Sequence, residues 1–366
     1  MKHDIEAVCS HFRVDGKFVE GASYGSGHIN DTYAVVFEQN GNRFRRILQR
    51  INHDIFKNPV QLMENLERVV NHLRLKLEAE GADDIERRVL SLIPTQDGGS
   101  LYVDDAGNYW RMYIFIEGAS TYDELENSNQ AYEAAKAFGL FQKQLADLPG
   151  EPLIETIPGF HDTRSRFEAF RKAVEEDTCG RAAEIKAEID FAFAREDIVD
   201  RVLDMLKDGT IPLVTTHSDT KLNNVMLDDE SGEGICVIDL DTVMPGSCLY
   251  DFGDMVRTAA RPCPEDETDL TKVEAQLDMF EAITRGFLAS AGDSLVQAEK
   301  DHLGFSARLI TFEIGLRFLT DYLQGDVYFK THREGHNLDR ARVQLKMVES
   351  FEANMDAMNE IVRNAE

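Results

Sequence analysis

Basic residues are scarce in this chain. Lys and Arg number 39 against 67 Asp and Glu, a formal net charge of −28 over 366 residues. That balance excludes the broad basic face a nucleic-acid grip requires and disfavours an anionic membrane surface as partner. An anionic substrate would need a locally basic, metal-assisted site, whereas a neutral or cationic one is easier to reconcile with the charge. The five cysteines, Cys9, Cys179, Cys236, Cys248 and Cys263, are odd in number and have no C-x-x-C spacing. Neither a disulfide framework nor a zinc site follows from them. No uncharged run approaches the ~18 residues of a membrane span. The N-terminal stretch MKHDIEAVCSHF carries charges where a signal peptide has an apolar core. A reducing cytoplasm is the expected compartment, and nothing points to a protein partner. Internal repeats and low-complexity tracts are also absent.

What is present divides the chain near residue 117. Before it, β-like runs at Tyr33–Glu38, Phe44–Ile51, Val89–Ile93 and Tyr109–Ile116 are separated by turn signals such as Asn40-Gly41-Asn42. One helix interrupts them from about Pro59 to Glu78, with Val60, Met63, Leu66, Val70 and Leu73 at helical spacing. After residue 117 the periodicity is helical, at Ala131–Leu145, around Phe280–Phe287, around Leu309–Leu323, and from Leu338 to Arg363. The exception is a hairpin, Asn224–Leu227 and Ile235–Asp239 around a Gly-containing turn. The expected fold class is α+β with two lobes, residues 1–116 and 117–366.

The hairpin follows His217-Ser218-Asp219-Thr220-Lys221-Leu222-Asn223-Asn224, which fits H-x-D-x-K-x-x-N. This spacing resembles the protein-kinase catalytic loop. Asp219 can accept the proton of an attacking hydroxyl and aim its oxygen at a γ-phosphate. Lys221 can neutralise charge on the transferred group. Asn224 offers a neutral oxygen to Mg²⁺, and Asp239, at the end of the next strand, offers a charged one. His217 is expected to hold the loop by hydrogen bonds. Asp251-Phe252-Gly253 spells the kinase metal motif, yet the metal Asp should directly follow the hairpin. Asp251 is therefore expected either to cap a helix starting near Asp254 or to brace the loop. Asp241 stays open between a metal contact, a substrate contact and structure.

H-x-D-x-K-x-x-N, VIDLDT and PGSCLYDFGD together resemble the aminoglycoside phosphotransferase and choline kinase superfamily. More narrowly, YGSGHINDTY, ILQRIN, HDTRSRFEAF, THSDTKLNN, VIDLDTVMPGS, LYDFGD, RFLTDYLQGDVYF and HNL resemble bacterial N-acetylhexosamine 1-kinases. The resemblance spans roughly residues 24–340. It implies a two-lobed protein-kinase-like fold, ATP as co-substrate, Mg²⁺ as cofactor, and a neutral amino sugar phosphorylated at C1. Gly25, Gly27 and His28 would lie near the phosphates or the reacting sugar. The third strand departs from the kinase pattern. It brings Gln49 and Arg50 where a Lys is usual, so Lys221, Mg²⁺ or Arg50 must compensate. Gln49 fits the cleft-facing position, and Glu67 is left as an ordinary helix-face acid. Ile114 and Ile116 lie on the run into the linker whose backbone would bond the adenine edge. On the acceptor side the resemblance implicates Thr242, Arg317 and Tyr328. Residues alone leave two alternatives: another small-molecule kinase (aminoglycoside, choline or ethanolamine, or another sugar), or a catalytically silent binding protein.

Overall fold

The computed structural model describes residues 3–25, 29–124 and 127–365. In chain order its elements are α1 (Ile5–Cys9), β1 (Lys17–Ser23), β2 (Asp31–Gln39), β3 (Asn42–Ile51), α2 (Pro59–Glu80), α3 (Ile85–Arg88), β4 (Tyr102–Val103), β5 (Tyr109–Ile114), β6 (Ala119–Ser120), α4 (Ser128–Leu145), α5 (Thr163–Glu176), α6 (Lys186–Phe193) and α7 (Arg201–Lys207). There follow β7 (Val214–Thr216), β8 (Val225–Asp228), β9 (Gly234–Val237), β10 (Met244–Gly246), α8 (Cys248–Ala259), α9 (Leu277–Ala291), α10 (Gln297–Lys300), α11 (Leu303–Leu323) and α12 (His336–Ala365). The fold is mixed α+β, a β-sheet N-terminal region followed by a helical C-terminal region.

The N-terminal sheet is antiparallel in the order β1-β2-β3-β5-β4. Asn40 and Gly41, both at positive φ, turn β2 into β3, the backbone a two-residue hairpin needs. Strand alternation sorts the side chains. Tyr33, Val35, Leu48, Trp110 and Met112 pack against Ile5, Val8 and Cys9 of α1. Ile47, Ile51 and Tyr113 join α2 in a separate cluster. The expected strand at Val89–Ile93 is only a single bridge beside β5, Leu92 opposite Tyr113; Pro94, which has no N–H, ends it.

Helix α2 begins at Pro59 behind the Asn58 cap, whose side chain accepts from the Gln61 N–H, and ends at Gly81 in the left-handed conformation. Its buried face is Leu62, Met63, Leu66, Val69, Val70, Leu73 and Leu77, while Val60, expected on that face, points outward. The face packs on Tyr113 and on Phe141, Leu145, Leu240 and Val243 of the C-terminal region, so α2 joins the two regions. The largest core lies among the C-terminal helices. Close approach there depends on glycine. A Cβ on Gly286 would fall 2.1 Å from the Tyr132 carbonyl, and one on Gly253 2.5 Å from that of Ser306. Among the described residues no helix is long and apolar enough to cross a membrane.

Candidate active site

A cleft of about 990 Å³ runs between the sheet and the helical region. Its floor is built by local pairing. Strand β7 pairs with β10, Thr216 opposite Met244. Strand β8 pairs with β9, Val225 opposite Val237, and the Ile238 N–H bonds the Asn224 carbonyl at 2.9 Å. That bond sets Asn224 beside Asp239, which takes a left-handed backbone (φ 57°) before the turn Leu240–Thr242.

Asp219, Lys221, Asn224 and Asp239 all line this cleft. Lys221 Nζ stands 3.2 Å from Asp219 Oδ2. Asn224 Nδ2 donates to the Asp219 carbonyl at 2.8 Å and to Oδ2 at 3.4 Å. Burial opposes ionisation of Asp219, but Lys221 and His217 outweigh it and hold the carboxyl below its usual range. The same pairing raises Lys221 above the usual ammonium value. Asp239 behaves oppositely. Its side chain opens to the cleft, yet the surrounding protein and then the Asp241 and Asp219 carboxylates push it up to about 7. Its carboxylate accepts no hydrogen bond among the described residues.

The Asp239 carboxylate, unpartnered among the described residues, and Asn224 Oδ1, whose Nδ2 is already committed, are hard oxygen donors on residues that line the same cleft. Such a set suits Mg²⁺, which takes one or two protein oxygens and completes its shell with phosphate oxygens and water. Among the described residues no group of three or more His, Cys, Asp or Glu forms a cage by itself.

His217 is fully buried, Nε2 donating to the Ile238 carbonyl at 2.9 Å and Nδ1 facing the Asp219 N–H at 3.3 Å. Asp251 accepts the N–H groups of His217 and Ser218, each at 2.8 Å. Thr220 Oγ1 donates to the Asp251 carbonyl at 2.6 Å. Asp251 therefore braces the loop. Its helix starts at Cys248 behind a Ser247 cap, not near Asp254. Phe252 packs on Phe280 and Phe287, and Gly253 admits α11, so D-F-G here spells helix packing.

Asp241 lines the cleft but is engaged by other side chains of the protein. Its side chain is 2% exposed, pairs with Arg111 Nη1 at 2.6 Å and accepts from Asn30 Nδ2 at 2.7 Å. Thr242, expected on the acceptor side, lines the cleft but donates its hydroxyl to the His217 carbonyl at 2.8 Å.

On the sheet side Gln49 lines the cleft opposite Arg111 in register. Its amide is committed within the protein. Oε1 accepts from Arg111 Nε and Nη2 at 2.9 and 2.6 Å, and Nε2 donates to Thr32 Oγ1. Arg50 does not compensate for the absent Lys. Alternation turns it to the other face, where Nε bonds Asp31 at 2.7 Å. The cation in that place is Arg111, from the neighbouring strand. Burial works against its charge, but Asp241 leads the carboxylates that raise its pKa overall, and Asp239 contributes.

Gly25 sits at the cleft mouth with φ 79° and open space where a Cβ would be; Gly27 and His28 lie outside the described residues. Ile114 and Ile116 line the apolar end with Ile47, Met226 and Ile238. The Ile114 N–H is taken by the Ser91 carbonyl at 2.9 Å and so is not open to a nucleotide.

Arg317 and Tyr328 come together away from the walls of the large cleft. The Arg317 guanidinium lies over Phe160, Tyr328 and Phe329, 5.3–5.9 Å from the ring centroids, with no hydrogen-bond or ion-pair partner among the described residues. Glu313, a turn earlier, binds His161 and Thr163 instead. Tyr328 is 60% exposed but rigidly mounted. Asp321 accepts the N–H groups of Val327, Tyr328 and Phe329 at 2.7–2.9 Å and Asn337 Nδ2 at 2.8 Å. The string RFLTDYLQGDVYF thus builds one cradle.

Sequence reasoning missed Arg111 and His161. A lone Arg inside the apolar run Tyr109–Ile116 was the available signal, since such a charge persists only when paired.

The fold is shared with several solved structures. An aminoglycoside phosphotransferase from Alicyclobacillus acidocaldarius superposes with TM-score 0.58 at 11% identity, over 98% of this chain and 96% of that one. A spectinomycin phosphotransferase solved with ADP and spectinomycin gives 0.53 at 15%, over 99% and 97%. Choline kinase from Cryptosporidium parvum gives 0.52 at 14%, over 98% of each chain. These likenesses establish a protein-kinase-like fold. The sequence itself matches the model of the phosphotransferase enzyme family over residues 20–285, and the chain belongs to that family.

Proposed function

We propose that this phosphotransferase is an ATP-dependent sugar kinase that moves the γ-phosphoryl group to the anomeric C1 hydroxyl of an N-acetylhexosamine, N-acetylglucosamine or N-acetylgalactosamine. The observation that carries phosphoryl transfer is the convergence of Asp219, Lys221, Asn224 and Asp239, the last unpartnered among the described residues, on one cleft. Residues 1–116 then act as the nucleotide lobe and residues 117–366 as the catalytic and acceptor lobe, working in the cytoplasm without nucleic acid, membrane or protein partner.

The adenine lies in the apolar end among Ile47, Ile116, Met226 and Ile238, its edge on the Ile116 backbone. Asp219 aligns the acceptor hydroxyl and takes its proton as the sugar oxygen bonds to the γ-phosphorus and the bond to the β-phosphate oxygen breaks. Lys221 steadies the negative charge on the transferred group. Asn224 and Asp239 would hold Mg²⁺, which would supply the remaining neutralisation. Binding energy for a neutral sugar comes from fixed donors and acceptors; the resemblance gives that part to Arg317 and Tyr328, which lie outside the lining of the large cleft, Arg317 over Phe160.

The rival reading is a kinase for a cationic acceptor, an aminoglycoside or choline. The cleft lining carries charge of both signs, Arg257, Arg261 and Arg340 beside Asp123, Glu124 and Glu265, and by itself favours neither acceptor. The single Trp, Trp110, is fully buried in the sheet and cannot cage a cation.

Coupled ADP release with N-acetylglucosamine, N-acetylgalactosamine, galactose, kanamycin and choline separates these readings, with phosphorus NMR of the product. Turnover of an N-acetylhexosamine with an anomeric phosphate signal is expected. Turnover of kanamycin or choline alone would discard the sugar.

Asp239 gives a pH prediction. A protonated carboxyl cannot ligate a cation, so Mg²⁺·ADP binding, followed by calorimetry, should strengthen as pH rises toward 7 and level off above, by up to about tenfold per unit. Asp239→Asn serves as the reference that subtracts the proton chemistry of ADP. An identical pH slope in both proteins would remove Asp239 from the ligand set.

A further inference from the structure

Resting on the assignment of Asp219 as the base, we propose that His161, held as an imidazolium by Glu313, is the positioning residue that fixes the catalytic loop and thereby aims Asp219. Ser218, immediately before Asp219, has φ 66°, a left-handed backbone that a non-glycine residue keeps only when its surroundings over-determine it. Asp251 secures one side through the Ser218 N–H. The other side is the Ser218 carbonyl, and its partner is His161 Nε2 at 2.8 Å. His161 Nδ1 lies 2.9 Å from Glu313 Oε1. Thr163 Oγ1 donates to Glu313 Oε2 at 2.5 Å.

A backbone carbonyl and a carboxylate are both acceptors, so both ring nitrogens must donate, which only the imidazolium can do. The surroundings agree. From α8, Tyr250 stacks on the ring (centroids 5.1 Å apart, planes 13°) and Asp254 adds negative charge. Asp162 is the ring's neighbour in the chain, and Thr163 begins α5. From α11, Glu313 is fully buried, with the Arg317 and Arg166 guanidiniums near enough to act on its charge. Burial alone would push His161 down, but the Glu313 bond and charge outweigh it and raise it above the usual imidazole value. Burial would likewise raise Glu313, and the His161 bond holds it below the usual range.

The neighbouring residue gives this pair a second connection. Phe160 lies under the Arg317 guanidinium, 5.3 Å from centroid to carbon, so the segment that holds Ser218 also touches the proposed acceptor group.

The sign follows directly. Imidazolium support is present below the raised His161 pKa and is lost as pH rises through it. The test is kcat and KM against pH for wild type, His161→Gln and Glu313→Gln. His161→Gln should lower kcat by about 10- to 100-fold, the scale of a misplaced reacting group, with the KM for ATP within about twofold. Glu313→Gln removes the charge that holds the proton, so its alkaline decline should begin at lower pH than in wild type. Wild-type turnover in His161→Gln, or a Glu313→Gln profile that merely scales the wild-type curve, overturns the proposal. Should the Glu313 variant fail to fold, ¹⁵N NMR of wild type decides. Both His161 nitrogens protonated at pH 7 is expected, and a neutral ring overturns it. An active Asp219→Asn would instead remove the base assignment itself, so the two failures are distinguishable.

Discussion

Asp219→Asn should lose about 10²–10⁴-fold in kcat, the range for removing a positioned base, while folding normally and binding ADP as wild type does. The structure says why the loss should be confined to chemistry. The loop is held by the backbone of Asp219, whose N–H faces His217 Nδ1 and whose carbonyl accepts from Asn224 Nδ2, and by Asp251 beneath it. Among the described residues the carboxylate itself touches only Lys221 and, at 3.4 Å, Asn224. An amide keeps the shape and loses the proton acceptor. Kinetics by ADP release, with thermal unfolding and ADP titration as controls, make the check. Turnover near wild type would end the assignment of Asp219 and leave Lys221 and the metal ligands as a charge-stabilising site without a base.

The parts legible in the sequence are those whose causes are local. Asp219, Lys221, Asn224 and Asp239 are brought together by one hairpin within residues 217–239, and a spacing rule can see a hairpin. The α+β class follows from period-2 runs before residue 117 and helical periodicity after it. What escaped depends on contacts far apart in the chain. Asp241 looked ambiguous because Arg111 and Asn30, which claim it, belong to the sheet region. His161 and Glu313 are 152 residues apart, so neither stretch announces the other. Thr242 was placed on the acceptor side by resemblance, and only the fold shows its hydroxyl committed to His217. Val60 was a phase error: Leu62 and Val69, not Val60, complete the face of α2.

Arg111→Met should be strongly destabilising. Both partners of the Arg111–Asp241 pair are nearly inaccessible, 1% and 2% exposed. Removing one member of such a pair strands the other and costs about 3–5 kcal/mol, read as a lower midpoint of urea unfolding. Gln49 Oε1 loses both its donors as well. The double variant Arg111→Met/Asp241→Asn removes the stranded charge while keeping an acceptor for Asn30 Nδ2, so it should recover much of the loss. A single variant as stable as wild type would show that the pair is not the anchor the geometry describes. The double variant also separates two roles. If Arg111 only balances Asp241, restoring the fold restores nucleotide binding. If Arg111 supplies the positive potential that a third-strand Lys would otherwise bring, the refolded double variant keeps a raised KM for ATP. The second outcome is expected, because Arg111 already acts on Asp239 across the cleft, and Gln49, lying where the Lys would be, spends its amide on holding that guanidinium in place.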